Sequence, residues 1–182
     1  MRIYLISGYL TSGKTTVAKM MAKYIPNSKL IGFADMIKDA AAEKYNFPRS
    51  LCDTQEGKVT LIPNVGKTVR ELLIKHGWEE KNRTNDPQVW AKKLVEKIRP
   101  YKDTDTVYVI HDWRFQEELA CLRLAFPLTP IHQLRVSRSS VKPIDDMTEH
   151  ALDKILLPTM HNEGTVEDLE EMVKRYLGLI LN

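Results

Sequence analysis

Cys52 and Cys121 are the only cysteines in 182 residues. Two thiols cannot make a disulfide framework, so the expected setting is a reducing cytoplasm. No apolar run approaches the ~20 residues of a membrane span. The first apolar run is short and leads straight into a glycine-rich loop, which is not the layout of a secretory signal. The net charge is only +3. That suits an anionic small substrate and gives no footing for nucleic acid or a membrane surface. The five histidines show no ligand spacing, which argues against structural zinc. There is no internal repeat, no low-complexity tract and no clear linker. What remains is an ordinary globular balance, 43% hydrophobic and 28% charged, enough for one domain with a real core.

Against those absences stands one strong pattern. Gly8-Tyr9-Leu10-Thr11-Ser12-Gly13-Lys14-Thr15 follows the apolar run Ile3–Ile6 and precedes the helical pattern of Val17, Met20, Met21 and Tyr24. Strand, glycine-rich loop and helix in that order make a P-loop. Its glycines allow a tight turn whose N–H groups can point at phosphate oxygens. The phosphate cradle is expected to use Gly8, Thr11, Ser12, Gly13, Lys14, Thr15 and Thr16. Lys14 can reach the β- and γ-phosphates, the Thr15 hydroxyl can ligate Mg²⁺, and the helix N-terminus adds positive potential. The implied ligands are a nucleoside triphosphate and Mg²⁺.

Strand and helix patterns alternate along the rest of the chain. Strands are expected at Ile3–Ser7, Lys29–Phe33, Thr106–Ile110, Ile131–Val136 and Ile155–Met160. Helices are expected at Lys14–Ile25, Met36–Tyr45 with Asp35 as N-cap, Val65–Trp78, a segment opened by Asp86-Pro87, Phe115–Phe126 and Glu167–Ile180. Phe47–Asn64 reads as irregular, with Pro48, Gly57 and Pro63 as punctuation. Short apolar strands between helices give an α/β fold, a five-stranded parallel sheet with helices on both faces. Residues of about 35–100 and 138–150 fall outside the minimal alternation and read as acceptor-binding and lid segments of a single domain.

The chemistry can be narrowed by further absences. The Asn-Lys-x-Asp that reads guanine is missing; its nearest counterpart is Asn82-Arg83-Thr84-Asn85-Asp86. The strand Val109-Ile110-His111-Asp112-Trp113 has no Glu after its Asp to polarise water. Transfer to a bound phosphate acceptor needs neither; it needs positive charge and positioning. Asp112 and Arg114 follow a strand end, where ligands of open α/β sheets gather. Lys38, Arg70, Arg83, Arg135 and Arg138 supply further charge, with arginine able to grip phosphate bidentately. Trp78, Trp90 and Trp113 read as packing residues rather than stacking platforms.

These residues together resemble the deoxynucleoside monophosphate kinases of large DNA bacteriophages and their viral and cellular relatives. The chain is also similar to animal-type phosphomevalonate kinase. The likeness takes in the P-loop, Phe33-Ala34-Asp35-Met36-Ile37-Lys38-Asp39, Val69-Arg70-Glu71-Leu72-Leu73 with Gly77, and Asn85-Asp86-Pro87-Gln88-Val89-Trp90. It continues through Val109–Arg114, where relatives end in Asp-Thr-Arg, through Asp146-Met147-Thr148-Glu149, and through Asn162-Glu163-Gly164. Many relatives have Gly-Lys-Asp where Gly13-Lys14-Thr15 stands here, and Asp146 stands where a His is common.

The resemblance implies a P-loop kinase that holds ATP with Mg²⁺ as its cofactors and phosphorylates a nucleoside monophosphate. Lys14, Arg114, Asp112 and Arg138 would be catalytic, with Thr15 and Asp112 on the metal. Asp35, Lys38, Arg70 and Arg114 would hold the acceptor, and Asn162 and Gly164 would lie near the adenine. The implied partner is a small molecule, with neither nucleic acid nor membrane, and homodimerisation is left open. A phosphomevalonate kinase and a nucleotide-binding switch without transfer are the other readings at this point.

Overall fold

A computed structural model describes residues 1–143 and 147–181. Its elements, in chain order, begin with β1 (Arg2–Ser7), α1 (Lys14–Tyr24), β2 (Ser28–Ile31) and α2 (Phe33–Tyr45). Next come a 3₁₀ turn (Arg49–Cys52), α3 (Gln55–Val59), β3 (Leu61–Ile62), β4 (Lys67–Thr68), α4 (Val69–Thr84) and α5 (Val89–Ile98). After a further 3₁₀ turn (Arg99–Tyr101) follow β5 (Val107–Ile110), α6 (Gln116–Ala125), β6 (Ile131–Ser137), α7 (Met147–His150), β7 (Thr159–His161) and α8 (Val166–Leu181). The chain divides into two compact units, one made of Met1–Gly32 and Lys97–Asn182, the other of Phe33–Glu96.

The first unit is built on a five-stranded sheet in the order β2-β5-β1-β6-β7, with every neighbouring pair parallel. β1 lies at its centre, pairing Tyr4 with Val109 of β5 and Ile6 with Leu134 of β6. Both faces are covered, so β1 and β5 carry unbroken apolar runs rather than an alternation. On one face Tyr4, Ile6, Val109, Leu134 and Val136 pack with Val17, Ala18 and Met21 of α1 and with Leu169, Val173 and Leu177 of α8. α8 therefore buries the stripe that its 3.6-residue period sets out.

The last strand is shorter than its apolar run suggests. β7 covers Thr159–His161, not Ile155–Met160. Proline lacks an N–H for the ladder, so Pro158 enters only through its carbonyl, which accepts from Arg135 N at 2.8 Å. Leu156 is left 98% exposed. β2 likewise ends at Ile31, and Phe33 already begins α2. Asp35 is thus in the first turn of that helix rather than at its cap.

The second unit has its own core of Ala41, Phe47, Cys52, Ile62, Val69 and Leu72. The stretch read as irregular contains structure of its own. Thr54 caps α3, its hydroxyl accepting from Gly57 N at 2.9 Å. Gly57 is needed there because a Cβ would come within 2.4 Å of the Leu51 carbonyl oxygen. β3 and β4 pair antiparallel, so α4 starts at Val69, four residues later than expected. Thr68 and Glu71 close a capping box at its start, a pattern that fixes a helix N-terminus.

His76 is buried between Tyr45 and Trp90, and neither ring nitrogen has a hydrogen-bond partner. Burial pushes its pKa down, helped by Lys44 and Lys93 and opposed by Glu80 and Glu79. The fold thus holds the ring neutral, while the unfolded chain protonates it below about pH 6.5. Stability should be full above that pH and fall as the solution is acidified through it. Denaturant midpoints at pH 7.5 and 5 are expected to differ less in His76→Phe than in the wild type.

Candidate active site

The P-loop leaves β1 at Ser7 and closes on α1. Gly8 and Gly13 have φ of +139° and +104°, a region that side chains rarely adopt. A Cβ on Gly8 would lie 2.1 Å from the Val136 carbonyl oxygen, and one on Gly13 would lie 2.5 Å from Asn162 Nδ2. The loop is therefore pressed against β6 on one side and the 162 segment on the other. Thr11 also takes a left-handed φ of +65°. Ser12 is buried, and its N–H donates to the Tyr9 carbonyl at 3.2 Å, closing the turn. Gly13 stands at the N-cap of α1. The first N–H groups of a helix have no partner inside it, so those of Lys14, Thr15 and Thr16 are the anion-seeking end.

Lys14 folds back over the loop. Its Nζ donates to the carbonyls of Gly8 at 2.6 Å and Tyr9 at 2.5 Å. Burial pushes its pKa down to about 8, and the Arg114 charge adds to the effect; Glu149 and Asp112 oppose it. Lys14, Arg114, Asp112 and Glu149 thus share one electrostatic neighbourhood. β5 delivers two of them. Trp113 is 1% exposed; its N–H donates to the Ile6 carbonyl and its indole to the Phe115 carbonyl. The buried indole anchors the turn, with Asp112 before it and Arg114 after it. The Asp112 carboxylate lies on Gly32 at the end of β2, where a Cβ would meet Oδ2 at 2.5 Å. All these groups stand at the carboxyl ends of β1, β2 and β5, beside the central strand where the topology switches sides.

Other expected residues have different settings. Asn162 is buried, and its Nδ2 donates to the Ser12 carbonyl at 2.9 Å, bracing the phosphate loop. Gly164 faces the Asp168 carboxylate. Arg138 is exposed just beyond β6, near enough to Glu163 for its charge to lower that carboxyl's pKa, after Ser139's hydrogen bonds. Arg135 reaches the carbonyls of Leu152 and Ile155, so it holds that turn. Asp146 lies outside the described residues.

The second unit gathers the expected acceptor ligands. Lys38 is bonded to Asp35 at 3.0 Å and Asp53 at 3.2 Å. Arg70 donates to Gln55 at 2.8 Å. Arg83 pairs with Glu80 on the surface. Two residues that sequence reasoning passed over join this group. Arg49 bridges Asp35, Asp39 and Asp53. Lys58, on α3, is half-buried; burial lowers its pKa, and the charges of Lys38 and Arg70 lower it further. Lys58 therefore lies within electrostatic reach of both Lys38 and Arg70, with Asp53 opposing them. α3 is what brings Lys58 in, and its region reads from sequence as punctuation.

No family model matches the chain, and no curated protein sequence does either. Solved structures do. A gluconokinase from Sinorhizobium meliloti 1021 superposes with a TM-score of 0.52 at 9% identity, over 98% of this chain and 93% of that one. The thymidylate kinase of Candida albicans gives 0.51 at 15% identity, over 98% and 91%. The fold is that of the P-loop kinases. The shape of the loop fits a phosphate. Its two glycines leave no room for side chains where the loop curls, and Lys14 Nζ lies on the loop's own carbonyls. Thr15 and Asp112 suit Mg²⁺, which takes one or two protein oxygens alongside phosphate and water. Among the described residues no helix is long and apolar enough to cross a membrane.

Proposed function

We propose that this protein transfers the γ-phosphoryl group of ATP to the phosphate of a (deoxy)nucleoside monophosphate, forming the diphosphate. The reading rests above all on Lys14 and Arg114, two cations from different strand ends whose charges act on each other at the phosphate loop. In the transfer an acceptor phosphate oxygen bonds to the γ-phosphorus, the bond to the β–γ bridging oxygen breaks, and ADP leaves. Charge spreads over the moving group, and preorganised cations stabilise it. Mg²⁺ held at Thr15 and Asp112 would neutralise phosphate charge. A phosphate acceptor is largely dianionic at neutral pH, so its attacking oxygen carries no proton to remove. Trp113 stands where a water-activating Glu would be needed for hydrolysis.

Thymidylate and gluconate kinases share this fold, so acceptor chemistry must come from the chain's own charges. The charges of Lys38 and Arg70 acting on half-buried Lys58 support an anionic acceptor, and the resemblance to deoxynucleoside monophosphate kinases supports a nucleotide. The test is a coupled ADP-release assay with deoxy- and ribonucleoside monophosphates and with 5-phosphomevalonate. ADP release dependent on a nucleoside monophosphate is expected. Silence with all of them would overturn the proposal, and turnover with 5-phosphomevalonate alone would reassign the acceptor. Arg70→Ala should raise the acceptor KM by about tenfold or more, as loss of one charge-assisted phosphate contact does. The KM for ATP should change little; an effect on ATP alone would move Arg70 to the donor.

A further inference from the structure

Glu149, on α7, has only 2% of its side chain exposed. One carboxylate oxygen accepts from the Leu10 backbone N–H at 2.7 Å. The other accepts from Arg114 Nη1, which also reaches Thr148 Oγ1 at 3.2 Å. A carboxylate this buried persists only when it is paired and hydrogen-bonded. Here both partners belong to the donor site: a phosphate-loop amide and the cation beyond β5. A second tie holds the same segment. The Tyr9 hydroxyl donates to Asp153 Oδ1 at 2.9 Å, and Asp153 Oδ2 lies 2.8 Å from His150 Nδ1.

We propose that Glu149 is a positioning residue for phosphoryl transfer, fixing Arg114 against the phosphate loop at Leu10 so that Arg114 and Lys14 meet the moving phosphoryl group in one set geometry. The inference rests on the reading of Lys14 and Arg114 as donor-site cations. An unrestrained arginine must give up rotamer freedom each time it engages an anion. The Glu149 clamp removes that freedom before the nucleotide arrives, which is how preorganised charge lowers a barrier. Glu149 spans two partners with one side chain, so length and charge both matter. Glutamine keeps the length but loses the charge and turns an NH₂ towards one donor. Aspartate keeps the charge but is a methylene too short for both.

The test compares Glu149→Gln and Glu149→Asp, alone and combined with Arg114→Ala. Glu149→Gln should lower kcat by about 10²-fold, as misplacing a catalytic group does, with the KM for ATP changed far less. In the Arg114→Ala background the same substitution should cost little more, because the group it positions is gone. Equal losses in both backgrounds, or an unchanged kcat in a folded Glu149→Gln, would overturn the proposal. If Glu149→Gln does not fold, Glu149→Asp decides it by the same comparison. A ¹⁵N–¹H spectrum of the arginine side chains reads the clamp without turnover. The Arg114 guanidinium, assigned by its loss in Arg114→Lys, should give separately resolved N–H signals that collapse in the Glu149 variants. A wild type silent with every acceptor would overturn the proposed function, while that spectrum still decides whether Glu149 holds Arg114; signals unchanged by the substitutions would sink the clamp.

Discussion

Lys14→Ala is expected to lower turnover by about three orders of magnitude, the scale on which a preorganised charge-stabilising group acts. The ammonium is the one cation anchored within the phosphate loop itself, on the Gly8 and Tyr9 carbonyls. In that pose it lies ready to exchange two weak acceptors for phosphate oxygens. The substitution removes a half-buried stem and two hydrogen bonds but no core residue, so the melting temperature should move by no more than a few degrees. Turnover near the wild-type rate would refute the assignment of the loop. The same residue predicts a pH dependence. Lys14 is a cation below about pH 8, and only the cation attracts phosphate. In titrations of ATP against the free protein, affinity should weaken as the pH rises through about 8. The alanine variant should lack that component.

Gly8→Ala is expected to be the most damaging single-methyl change. The residue has a φ of +139°, and the new Cβ would lie 2.1 Å from the Val136 carbonyl oxygen. A strained φ costs about 1–3 kcal/mol, and forcing an atom into a packed site adds a similar amount. A melting temperature lower by about 10 °C follows for a chain of this size. The strand β6 and the loop must move apart to admit the methyl, so ATP binding should be lost as well. Calorimetric melting with and without ATP checks both. A variant that melts as the wild type does, and is stabilised equally by ATP, would mean that the loop lies elsewhere.

The parts of this molecule that could be read from sequence are those whose signals are local. The phosphate loop is eight consecutive residues, and its glycines, lysine and threonine carry their reasons within that span. The buried strands announce themselves by unbroken apolar runs, and α8 by its period. The readings that shifted depended on partners far along the chain. The resemblance places Asn162 near the adenine, and its sequence neighbours give no sign that its amide braces Ser12, 150 positions away. Glu149 enters the sequence reading only as part of the Asp146–Glu149 match and without a role, because the partners that bury it are Leu10 and Arg114. The hairpin of β3 and β4 is only two residues wide on each strand, too short to show an alternation. Arg49 has no local signature at all; it matters only because folding surrounds it with Asp35, Asp39 and Asp53.

The Asn162 brace also orders events during synthesis. The phosphate loop emerges 150 positions before the side chain that supports it. Val136, against which Gly8 packs, is likewise made late. A ribosome-bound chain that stops short of Asn162 has a complete loop sequence without this brace, and one that stops short of Val136 lacks both neighbours that shape it. If the proposed function holds, the loop takes its phosphate-holding shape only after Asn162 is made, and ATP cannot template the earlier steps of folding.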